Sequence, residues 1–192
     1  MNHRSHALFL DRDGTINLDN GYLSDPDQIE LLPGVATSLY EARSAGFHLF
    51  LFTNQSGIGR GYYTLNDVAR CNQRLLELLG LGSDLFTRIC VAPEHPEAPS
   101  HYRKPSPRFI AEMCSEFQLE PSNCWMIGDR RSDWQAGRSA GIHAAAVRTG
   151  EPWTEDDLEW LHANGVPIFA DLPSVIASVL TNPASTQTAA SQ

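Results

Sequence analysis

The chain is poor in cysteine, in positive charge and in long apolar runs, and each shortage excludes something. Its four cysteines (Cys71, Cys90, Cys114 and Cys124) form no CxxC pair. In a chain of 192 residues they read as buried thiols of a reducing compartment, so a cytoplasmic protein is expected. Lys and Arg total 14 against 23 Asp and Glu, a net charge of −9. That balance argues against non-specific nucleic-acid binding and against an anionic membrane surface, while leaving room for a small local cationic site. Near the start, the longest uninterrupted apolar run is Ala7–Leu10, far short of a signal h-region or a membrane span. Hydrophobic residues make up 42% and charged residues 19%, the composition of a soluble globular chain long enough for one well-buried domain.

What is present is an alternation of strand-like and helix-like segments. Strands are expected at Ala7–Leu10, Phe47–Thr53, Phe86–Val91, Cys124–Ile127 and Ala144–Val147, with a weak one at Ile168-Phe169. Between them, Val35, Leu39 and Ala42 recur at helical spacing and Gly46 stops the helix. Thr64 with Asp67 three residues on opens a helix carrying Val68, Leu75, Leu76 and Leu79. Ser106-Pro107 caps a helix with Phe109, Ile110, Met113 and Phe117 on one face, and Ser132–Ala140, Glu155–His162 and Ser174–Leu180 complete the set. Pro93–Pro105, rich in proline and histidine, is a loop. Such alternation predicts an α/β fold: a Rossmann-like, doubly wound parallel sheet with helices on both faces. Residues 1–180 form the single expected domain, and the small, polar stretch 181–192 is expected to be a disordered tail.

Ligands of an open α/β sheet bind beyond the carboxyl ends of its strands. Here the first strand ends in Asp11-Arg12-Asp13-Gly14-Thr15, and the second in Thr53-Asn54-Gln55. The third is followed by Arg103-Lys104-Pro105, and the fourth ends in Gly128-Asp129 with Asp133 four residues later. Neighbouring strands lie about 4.8 Å apart, so three adjacent ends can bring Asp11, Asp13 and Asp129 around one point. Clustered carboxylates repel unless neutralised, and a hard cation such as Mg²⁺ with oxygen ligands does this best. With Lys104, Arg103 and Thr53 nearby, the set can bind a phosphate dianion and leave one carboxylate free to attack it.

FLDRDGTIN, FTNQSGIGRG, RKPSP and IGDRRSDWQAG, in this order over about residues 7–150, resemble the haloacid-dehalogenase (HAD)-like hydrolase superfamily. Within it they are similar to the group acting on heptose bisphosphate and on histidinol phosphate. The resemblance implies that Asp11 is the nucleophile and Asp13 the acid and base. It assigns Mg²⁺ to the carboxylates of Asp11 and Asp129 and the backbone carbonyl of Asp13. Thr53, Asn54 and Lys104 are implied as the phosphate grip, with Asp133 orienting Lys104 or the metal waters. Asp19, Asn20, Gly21, Tyr22, Gln55 and Ser56 are implied as pocket walls, and Arg103 and Arg130 as contacts to substrate or its second phosphate. The group commonly carries a structural zinc in the loop before RKP. Here that stretch reads Ala92-Pro93-Glu94-His95 and Ser100-His101-Tyr102, and with only His95, His101 and nearby Cys90 no zinc is expected. Roughly forty residues between Asp13 and Thr53, and fifty between Thr53 and Lys104, leave no room for a large cap domain.

The expected function is therefore a monomeric, Mg²⁺-dependent phosphomonoesterase acting on a small phosphorylated sugar, with heptose bisphosphate favoured. Histidinol phosphate is the alternative suggested by GDRRSD, and a nucleic-acid 3′-phosphatase the one suggested by the TNQSGIGRG loop. A signalling receiver domain also places an acceptor Asp, a Thr and a Lys at parallel strand ends, but has no need of Asp13. A catalytically dead binding protein would have no need of Asp11, Asp13, Lys104 and Asp129 together.

Overall fold

The computed structural model describes residues 6–181. Six strands, β1 (Ala7–Leu10), β2 (His48–Asn54), β3 (Arg88–Ala92), β4 (Cys124–Gly128), β5 (His143–Val147) and β6 (Ile168–Phe169), form one sheet. Its order is β3-β2-β1-β4-β5-β6 with every pairing parallel. The order reverses at β1, so β2 and β4 flank it and the crevice over their carboxyl ends is the switch point where such sheets bind ligands.

The period of two along each strand decides which helices cover which face. Leu8 and Leu10 of β1, Leu49 and Leu51 of β2, and Ala145 and Val147 of β5 face one core. That core is closed by the helices α1 (Val35–Ser44), α3 (Leu65–Leu79) and α7 (Leu172–Thr181). Ala7, Phe9, Phe50, Phe52 and Met126 point the other way, against α4 (Arg108–Glu116) and α5 (Arg131–Ser139). Phe9 and Phe50 stack there at 4.7 Å with Phe109 edge-on to both. A third cluster joins Trp134 of α5 to Leu161 of α6 (Glu155–Ala163) and to Trp153 and Trp160. Between β2 and α3 lies one further turn of helix, α2 (Ser56–Gly59).

The doubly wound α/β fold is as the sequence predicts, and most element bounds agree to within a residue or two. The capping box at Thr64 and Asp67 is formed. At the start of α4 Pro107 occupies the capping position, while the Ser106 hydroxyl accepts the Arg108 N–H at 3.4 Å and donates to the His101 carbonyl. Thr181, placed in the tail by composition, closes α7 with its hydroxyl donating to the Ala177 carbonyl. Residues 182–192 lie outside the described residues. Among those described, no helix is long and apolar enough to cross a membrane.

Candidate functional site

Beyond the carboxyl ends of β1, β2 and β4 opens a cavity of about 270 Å³. Its walls include Asp11, Asp13, Asp19, Gly21, Tyr22, Thr53, Asn54, Gln55, Ser56, Arg103, Lys104, Arg130 and Asp133. Of the pocket residues expected from the sequence, Asn20 does not line it; its amide donates to the Gln28 carbonyl instead. Asp129 lies fully buried behind the wall.

The chain reaches this geometry through its local connections. The Asp11 N–H donates to the Ile127 carbonyl, tying the end of β1 to β4. Asp133 occupies the first turn of α5, and its Oδ2 accepts the Arg130 N–H. Lys104 is held by Asn54, whose amide donates to the Lys104 carbonyl and accepts the Lys104 N–H. Both side-chain atoms of Asn54 are thereby committed to the loop backbone that carries the lysine. The lysine Nζ then stands 2.8 Å from Asp11 Oδ1 and 2.5 Å from Asp133 Oδ1, sealed from solvent.

Asp11, Asp129 and Asp133 each offer an oxygen within 4.8 Å of the others. Lys104, with Arg130 Nε 3.8 Å from Asp129 Oδ2, compensates the cluster's negative charge only in part. Burial, reinforced by Asp11 and Asp133, pushes the Asp129 carboxyl up to about 8. Burial likewise raises Asp11 to about 6, against the pull of Lys104. Burial alone would lower the Lys104 ammonium, but Asp11 and Asp133 outweigh it and hold it above its ordinary value. Asp129 Oδ1 is buried with no hydrogen-bond partner among the described residues. An orphaned carboxylate oxygen inside an all-oxygen cluster fits a hard divalent cation.

The shifts set a sign for stability. Asp11 and Asp129 keep in the folded state a proton that the unfolded chain releases near the ordinary value of 3.8, so the metal-free protein loses stability as pH rises from about 4 through about 8. Chelated protein should therefore melt lower at pH 8 than at pH 5.5, and added Mg²⁺ should raise Tm more at pH 8. A fluorimetric melt at the two pH values checks this; equal Mg²⁺ effects would contradict it.

Asp13 stands apart from the trio. Its Oδ1 accepts from Arg12 Nε and Asn17, and its Oδ2 from Arg12 Nη2 and Gln55. Arg12 is entirely buried and its Nη1 donates to Asn72 Oδ1 of α3. Gln55 is oriented in turn by the Thr53 hydroxyl and the Tyr63 phenol. Arg130, expected at a phosphate, gives Nη2 to both Asp19 (2.7 Å) and Glu151 (2.9 Å), so its charge is already engaged across the cavity mouth. Arg103 lines the cavity with a buried Nε that has no partner among the described residues, which makes it the better placed cation for an incoming anion.

Sequence reasoning missed Arg12, Tyr63, Ser132 and Glu151. The proline-rich loop before Arg103 also has an anchor that composition does not show. A carboxylate holds it: Glu94 Oε1 accepts the backbone N–H groups of His101, Tyr102 and Arg103. The signal available was Glu94 inside that loop. Nearby, burial pushes the Cys90 thiol up to about 12.

The Hydrolase_like family, described as HAD-hydrolase-like, matches residues 101–175. A D-glycero-beta-D-manno-heptose-1,7-bisphosphate 7-phosphatase of Pasteurella multocida is 37% identical over 179 residues, covering 88% of this chain and 96% of its own. The chain belongs to the HAD-like hydrolases. A second enzyme of the same name, from Helicobacter pylori, is 44% identical over 71% of this HAD-like hydrolase and 79% of itself. Among solved structures, a D,D-heptose 1,7-bisphosphate phosphatase from B. bronchiseptica, complexed with magnesium and phosphate, superposes with a TM-score of 0.80. It is 25% identical, with 92% of this chain and 99% of that one covered. These relatives are phosphatases, and the expectation of a phosphoric monoester hydrolase holds for this HAD-like hydrolase.

Proposed function

We propose that this HAD-like hydrolase removes the 7-phosphate of D-glycero-D-manno-heptose 1,7-bisphosphate through an aspartyl-phosphate on Asp11. The observation that carries the reading is the Lys104 ammonium 2.8 Å from Asp11 Oδ1, beside the Asp11, Asp129 and Asp133 oxygens at an open cavity. A lysine this close neutralises an incoming phosphoryl group while leaving the second Asp11 oxygen to attack it. The near-full-length similarity to heptose bisphosphate phosphatases supports the substrate.

Asp11 attacks phosphorus in line; the Asp11–phosphorus bond forms as the bond to the sugar oxygen breaks, and Asp13 gives that oxygen a proton. Water then adds to the same phosphorus, Asp13 takes its proton, and phosphate leaves with Asp11 regenerated. In this structure four hydrogen bonds hold the Asp13 carboxylate at one side of the cavity. Thr53 and Lys104 grip the phosphoryl oxygens, Asp133 fixes Lys104, and Arg103 is placed for the second phosphate. Tyr22, Gly21, Asp19, Gln55 and Ser56 wall the sugar. Asp11 and Asp129, with the Asp13 carbonyl, would hold Mg²⁺, which when bound offsets the charge of the phosphoryl oxygens.

The four free thiols suit a cytoplasmic enzyme, and the net charge of −9 disfavours nucleic-acid ends. A phosphate-release assay over both anomers of the heptose bisphosphate, histidinol phosphate and a 3′-phosphorylated oligonucleotide tests this. One phosphate per heptose bisphosphate, at the highest kcat/KM of the panel, is expected; a higher value for histidinol phosphate would overturn the substrate. EDTA should abolish release and excess Mg²⁺ restore it, and an EDTA-resistant rate would remove the cation from the reaction.

A further inference from the structure

Two indole rings converge on the backbone that carries Asp129. The Trp134 Nε1–H donates to the Gly128 carbonyl (2.9 Å), and the Trp153 Nε1–H to the next carbonyl, that of Asp129 (2.6 Å). The rings stand edge-to-face at 5.2 Å, and the Arg148 guanidinium lies 4.7 Å over the Trp153 ring from the other side. We propose that Trp153, backed by Trp134, is a positioning residue for the cation site, fixing the Asp129 peptide plane so that its carboxylate is aimed at Asp11 and Asp133. This rests on Asp129 being a cation ligand, as proposed above.

The physical case begins where the sheet ends. β4 stops at Gly128, so the Asp129 carbonyl lies beyond the strand, and an indole N–H supplies its partner. The Gly128 and Asp129 carbonyls sit on the two peptide planes that meet at the Asp129 Cα, so holding both fixes the direction of its Cα–Cβ bond. The carboxylate has no slack: a Cβ on Gly14 or on Gly150 would run into it, and the Glu151 N–H reaches its Oδ2 at 3.2 Å. The backbone donor of residue 151 and the indole of Trp153 therefore grip side chain and main chain of one residue from one short segment. Trp160 shares the cluster, 6.3 Å from Trp134, and provides a control because no hydrogen bond joins it to either carbonyl among the described residues.

The test measures Mn²⁺ uptake, read from the electron paramagnetic resonance of the free ion, in the wild type, Trp153→Phe and Trp160→Phe. Phenylalanine keeps a packing ring and loses the donor. Residues that orient metal ligands typically change affinity by 10–100-fold, so Trp153→Phe should bind Mn²⁺ at least about tenfold more weakly, with Trp160→Phe near wild type. Wild-type uptake matched within twofold by Trp153→Phe overturns the positioning role and leaves the cation site standing. No uptake by the wild type overturns the cation site and this inference together. Should Trp153→Phe fail to fold, proton NMR of the wild type decides. The indole N–H signal of Trp153 must move on Mg²⁺ addition while that of Trp160 stays, and an unmoved Trp153 signal overturns the proposal.

Discussion

Asp11→Asn should yield a folded protein whose phosphate release is lower by about a thousandfold or more. The carboxamide is nearly isosteric, so β1 and its tie to Ile127 survive. It is, however, a poor nucleophile toward phosphorus, and it gives Lys104 a neutral partner in place of a carboxylate 2.8 Å away. One charge fewer in the trio should also relieve its repulsion, so the metal-free variant should melt no lower than the wild type at pH 8. Steady-state phosphate release and a thermal melt on the same preparation check both. Turnover at the wild-type rate in the folded variant would remove Asp11 from the chemistry; a receiver-type acceptor would instead hold its acyl phosphate in the wild type.

Lys104→Met should be costly to fold and to activity alike. Lys104 is the ammonium set between Asp11 and Asp133, and both carboxylates depend on it for compensation. Removing one partner of a buried ion pair costs about 3–5 kcal/mol, because the charge left behind is neither hydrated nor paired. A methionine fills the stem's volume, so the loss should come from charge rather than from a cavity. The expected signature is a denaturation midpoint that falls markedly at pH 8 and much less at pH 5.5, where Asp11 and Asp129 are free to hold protons. Urea unfolding at both pH values measures it. A variant as stable as the wild type at pH 8 would show that the carboxylates do not need the lysine.

Much of this was legible in the sequence because it is local or periodic. The alternating apolar faces of Ala7–Leu10 and of the strand through Leu49–Phe52 dictate a sheet buried on both sides. Acidic residues immediately after two such strands dictate a polar crevice. What escaped depends on partners distant along the chain. Nothing near Arg130 announces that its guanidinium will meet Asp19, 111 residues away. Nor could the sequence announce that Lys104, 50 residues on, would claim both side-chain atoms of Asn54. Arg12 between two aspartates gave no sign of which way it would turn. Its burial against Asp13 and Asn72 is decided by where α3 packs.

The make-up of the cavity wall also constrains what could block it. A space of about 270 Å³ enclosed by Asp11, Asp13, Asp19, Arg103, Lys104 and Arg130 presents ionic groups where an inhibitor would ordinarily find grease. Small apolar molecules gain little there, since most drug-like affinity comes from shedding water off hydrocarbon. A compact dianion suits the floor but diffuses poorly through lipid. The more tractable handhold is the lip, where the exposed rings of Tyr22 and Tyr62 meet edge-to-face at 4.8 Å and give a flat scaffold an aromatic shelf next to the charged interior.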